Sequence, residues 1–149
     1  MSGDTKPLSH MKKIPIFIIV FLAIFNSSCS KPEEVDIFGA WVISSSAKDV
    51  LANYRPDSMM TFYGNHTFAA KNLPHELLGD SLGNRPGAFS GDGTWELDQS
   101  SLWLGFQSID KINVSIGTAL QMRAWGAPTL FFYLGDPDEA RIVEFHKAG

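Results

Sequence analysis

From Gly91 to Phe106 the sequence reads Gly-Asp-Gly-Thr-Trp-Glu-Leu-Asp-Gln-Ser-Ser-Leu-Trp-Leu-Gly-Phe. Trp95 and Leu97 fall on one face of an extended chain and Thr94 and Glu96 on the other, the period of two that a half-buried strand requires. Asp98-Gln99-Ser100-Ser101 supplies polar turn formers, and Leu102, Leu104 and Phe106 line one face of the returning strand. The alternation predicts a β-hairpin with Trp95 buried and Trp103 turned outward, opposite Leu102 and Leu104. Shorter strand-turn-strand units flank it on both sides, which makes it the middle of a meander.

The pattern extends along the chain. Ile37–Ile43 reads as a first strand, and Ala47–Tyr54 as a short helix, with Ser46 as its N-cap and Pro56 beyond its end. Met59–Lys71 reads as a hairpin turning at Gly64-Asn65. Asn65-His66-Thr67 also matches a glycosylation sequon, but its place in a tight turn accounts for it. Ile112–Ile116 alternates and Ala119–Trp125 continues in strand-like fashion. After the turn at Gly126-Ala127-Pro128 come the most apolar strand, Thr129–Leu134, a turn at Gly135–Asp138 and a last strand, Arg141–Phe145. That makes about eight strands, none joined to the next by a helical crossover, so the expected fold is all-β and antiparallel.

The N-terminus carries a different signal. Met11-Lys12-Lys13 precedes Ile14–Phe25, an apolar run with no polar face at helical spacing. Its twelve residues fall short of the roughly 20 needed to cross a bilayer and suit the apolar region of an export signal. An internal methionine at the head of this signal points to Met11 as the true start. Cys29, the only cysteine, follows Asn26-Ser27-Ser28. This stretch resembles the lipobox of bacterial lipoproteins, whose cysteine is acylated and becomes the first residue, although such boxes prefer a Leu-like residue where Asn26 stands. The alternative is ordinary secretion with a free thiol at Cys29. The expected division is residues 1–28 as extension and signal peptide, 29–36 as lipidated cysteine and polar tether, and 37–149 as the barrel domain.

Gly39-Ala40-Trp41 is similar to the Gly-x-Trp that opens the first strand of lipocalins, where the indole closes one end of the barrel, and Gly93-Thr94-Trp95 repeats it. With Thr67-Phe68, Ser90–Trp95 and Tyr133–Asp138, these segments resemble a loosely defined group of uncharacterised bacterial proteins with lipocalin-like folds. The likeness departs at Ala140, where a glycine would finish the turn. It implies an up-and-down barrel of about eight strands and brings no catalytic residue with it.

From Cys29 onward the chain has 9 basic and 15 acidic residues, a net −6, which disfavours nucleic acid. No serine lies in a nucleophile elbow, and the one cysteine sits at the export junction. His75-Glu76-Leu77-Leu78-Gly79 begins like a zinc-protease helix but has glycine where the second histidine belongs. Asp136, Asp138 and Glu139 read as a turn rather than a calcium loop. No metal, cofactor or enzymatic activity is therefore expected.

Asn72–Ala88 is the one long connection, rich in Gly and Pro, and long loops in small domains often bind. It gathers His75, Glu76, Asp80 and Arg85, with Leu77 and Leu78 as an apolar lid, and these are the candidate binding residues. Two functions fit. One is a lipid-anchored barrel holding a small apolar ligand; the other is an envelope interaction protein, inhibitor, immunity factor or scaffold, whose barrel is filled and whose loops meet a partner.

Overall fold

The alternation written into the sequence becomes alternation of burial in the structure, a computed structural model that describes residues 31–82, 85–123, 126–139 and 141–149. The signal segment, Cys29, Trp125 and Ala140 lie outside the described residues. Along the central hairpin, β4 (Ala88–Asp98) and β5 (Ser101–Ile109) pair Trp95 with Leu104 and Leu97 with Leu102. Trp95 is 2% exposed and Trp103 is 54% exposed, so the register expected for this hairpin holds.

Around it are β1 (Gly39–Ile43), β2 (Met59–Phe62), β3 (Thr67–Pro74), β6 (Ile112–Arg123), β7 (Thr129–Tyr133) and β8 (Ile142–Lys147). Each strand pairs antiparallel with its sequence neighbours, and β8 pairs with β1 to close an eight-stranded barrel. Closure removes the open edges that a flat sheet of this size would expose. The seams are unequal. β6 pairs with β5 along most of its length but with β7 only from Gln121 to Arg123.

Both Gly-x-Trp triplets have a backbone reason. Gly39 enters β1 at φ 108, a conformation L side chains rarely adopt. At Gly93 the register shifts, and a Cβ there would run into the carbonyl of Gly105. The β5–β6 turn places both Asp110 and Lys111 at positive φ, as a type I′ hairpin turn demands. The Asp110 carboxylate accepts the Ser90 N–H at 2.9 Å and holds that turn against β4.

Two elements differ from expectation. The helix expected over Ala47–Tyr54 is a 3₁₀ turn at Ser45–Asp49, capped by Ser44 rather than Ser46. The Ser44 hydroxyl accepts the Ser46 N–H and so starts the turn two residues earlier. The polar tether ends early as well, because Glu34–Ile37 forms a single helical turn. Its last residue, Ile37, is fully buried and accepts a 2.7 Å bond from the Trp41 indole.

Candidate functional site

Antiparallel order sorts the connections to two ends. The N-terminal helical turn, the β2–β3 turn and the β4–β5 turn share one end; the segments 44–58, 75–87 and 134–141 share the other. The second end was expected to carry the functional loop. That connection is shorter and more ordered than expected. Leu73 and Pro74 still belong to β3, paired with Phe89 and Ala88. His75–Leu82 then forms two 3₁₀ turns that meet at Gly79, whose φ of 56 breaks the helix.

This segment is fastened into the barrel mouth. Glu76 Oε1 accepts from the backbone N–H and the Nδ2 of Asn53, both at 3.0 Å, and so joins the two connections that cross this end. Leu77 and Leu78 are buried. The two leucines expected as an apolar lid are thus packed into the mouth with the core. The His75 ring lies 5.4 Å from that of Phe89. The structure thus gathers His75, Glu76 and Leu77 at the mouth, with Asp80 following in the same element and Arg85 exposed on the returning limb. Two atoms stand out chemically: His75 Nδ1 and Glu76 Oε2 are buried and have no hydrogen-bond partner among the described residues.

Between the two ends the interior holds a chain of rings. Phe38 meets Trp95 at 6.0 Å and Trp95 meets Phe62 at 6.2 Å. Phe62 meets Phe68 at 6.0 Å, Phe68 meets Phe106 at 4.9 Å, and Phe106 meets Phe89 at 5.5 Å. Most of these contacts are edge-to-face, the arrangement aromatic quadrupoles favour. Through Phe89 the chain reaches His75. It runs from the N-terminal turn to the plugged mouth, and Met60, Leu102, Leu104, Leu120 and Phe145 fill in around it.

A cleft of about 640 Å³ opens at the other end, on the rim. Its walls come from three distant segments: Glu34 of the N-terminal turn, His66 of the β2–β3 turn, and Glu96 with Trp103 of the central hairpin. Glu96 stands directly opposite Trp103 across the β4–β5 ladder, and both are exposed. Next to them Thr94 pairs with Gly105, whose missing side chain leaves the floor low. His66 takes a left-handed backbone, stacks on Trp95 at 4.7 Å and approaches Glu34 at 3.5 Å. Asn65 Oδ1 secures that turn by accepting from Thr67 N–H and Oγ1, so the sequon-like triplet is a side-chain-bonded turn. None of the candidate binding residues His75, Glu76, Leu77, Asp80 and Arg85 is among the residues that line this cleft. The available signal was the outward Trp103, an indole with no place in the core.

Among the described residues no group of three or more His, Cys, Asp or Glu is placed to hold a metal ion. No helix among them is long and apolar enough to cross a membrane. Comparison of the chain with protein-family models, with curated proteins and with solved structures finds no match in any of the three.

Proposed function

We propose that the protein is an exported interaction module, tethered to a membrane through a lipid on Cys29, whose barrel is a rigid filled scaffold and whose surface meets a protein partner. The observation that carries this reading is the aromatic chain from Phe38 to His75, which occupies the space where a small-ligand barrel keeps its pocket. Burial of Ile37 at one end and of Leu77 and Leu78 at the other supports it. Exposed Trp103, Tyr63 and Val35 near the open rim fit a surface used for binding, because large aromatics are enriched at interfaces.

A second reading, an apolar ligand held in the barrel, draws support from one place. His75 Nδ1 and Glu76 Oε2, without a hydrogen-bond partner among the described residues, sit beside the Leu77 plug, and unpaired buried polar atoms are uncommon without a reason. Native mass spectrometry of protein extracted from its own host separates the two. The interaction module is expected to retain a protein partner and lose it on Trp103→Ala. A stoichiometric small molecule held by the folded monomer would overturn that reading in favour of the second.

A further inference from the structure

We infer that the rim cleft is a receptor for a cationic side chain, an arginine guanidinium or lysine ammonium presented by an extended segment of a partner protein; this rests on the surface-interaction reading above. The chemistry follows from what faces the cleft. Trp103 presents an indole that is 54% exposed, and a cation seated over such a face is drawn to its π electrons. Glu96 is directly across the ladder on the same outer face, within reach of a group resting on that indole. Glu34 closes the far wall. Two carboxylates and the exposed Trp103 indole thus bound a single concavity; among the described residues its one basic-capable wall residue, His66, is already engaged with Glu34 and covers the second indole, Trp95.

The shape agrees with the charge. Gly105 lowers the floor beside Trp103, and its strand neighbour Gly117 continues the smooth outer surface away from the cleft. A planar guanidinium is matched to this setting, because it can stack on an indole while its N–H groups reach a carboxylate. The rest of the outer face of β4 adds Asp92 and Asp98, which extend a negative field around the cleft and raise the local concentration of a cationic segment.

The test uses the folded chain from residue 30 and two peptides, acetyl-Gly-Arg-Gly-Arg-Gly-amide and the same peptide with glutamine for arginine. Indole N–H resonances are followed by NMR at low ionic strength, with Trp103→Phe identifying the Trp103 signal. The arginine peptide is expected to shift that signal saturably, and the glutamine peptide to leave it in place. Glu96→Gln, which keeps the Trp103 signal as its reporter, should weaken binding about tenfold. Gly105→Leu should abolish it without unfolding the domain, since a Cβ there meets nothing nearer than Thr94 Oγ1 at 3.5 Å. Glu139→Gln, at the opposite end of the barrel, should leave binding unchanged. Equal shifts with both peptides, equal weakening by Glu139→Gln and Glu96→Gln, or full binding by Gly105→Leu would each overturn the assignment. If the arginine peptide does not bind but the native protein still retains a protein partner, the ligand chemistry is wrong and the surface-interaction reading stands.

Discussion

Trp95 and Trp103 occupy adjacent strands of one hairpin and live in opposite surroundings. Trp95 touches Phe38, Phe62 and His66 and donates its indole N–H to the Tyr63 carbonyl at 3.2 Å. It joins the N-terminal turn, β2 and the β2–β3 turn to the central hairpin. Trp95→Ala should destabilise the domain by about 3–5 kcal/mol, a large share of what a small domain has. Trp103→Ala removes an exposed ring and should shift stability by less than about 1 kcal/mol. Urea unfolding of the two variants checks this, and similar midpoints would contradict the two-faced hairpin. The contrast was legible in the sequence because strand periodicity assigns sides without any knowledge of the rest of the fold. The cleft beside Trp103 was not. Its walls come from residues 34, 66, 96 and 103, and they meet only through the β3–β4 pairing of Thr67 with Thr94 and the packing of the N-terminal turn against His66.

At the scale of elements, the strands declared themselves through alternation and the turns through their polar residues. The short helical pieces were harder to place. A 3₁₀ turn of five residues has too little periodicity to read, and a single cap bond from Ser44 decides where it begins. The mouth segment was misjudged for a related reason: Gly79 and the neighbouring Gly and Pro residues look like loop, whereas Leu77 and Leu78 are claimed by the core. Replacing Leu73–Pro86 by a short Gly-Ser turn would therefore remove paired β3 residues and two buried leucines, and the barrel is expected to lose stability. A milder change isolates the clamp. Glu76→Ala leaves the Asn53 N–H and Nδ2 without their acceptor, which should destabilise the mouth by about 1–3 kcal/mol. Amide hydrogen exchange should quicken in 75–82 and in 50–54 while the β4–β5 ladder keeps its protection. Uniform loss of protection across the barrel would mean that the clamp is not local.

For the whole molecule, the N-terminal turn limits how far from the barrel the proposed anchor can lie. Cys29 lies four residues before Glu33, a span of at most about 15 Å. A lipid there would hold the rim with the cleft toward the membrane and turn the plugged mouth away from it. Intact mass of membrane-extracted protein is expected to give a chain beginning at Cys29 with added acyl mass. Cys29→Ser should release the domain, because stable attachment takes more than a single chain or needs a second apolar anchor. A soluble native product without acyl mass would remove lipidation from the account.

Seven of the eight ladders join strands that follow one another along the chain, and the remaining one joins Trp41–Ile43 to Phe145–Lys147. That seam has a consequence in time. A chain made from its N-terminus presents β1 with an open edge from the moment it appears. The edge stays open until β8 exists, about a hundred residues later, which at about 5–20 residues per second is an interval on the order of 5–20 s. Throughout that interval the β8-side edge of β1 has no final neighbour, and any companion that shields the nascent sheet has its work confined to that window.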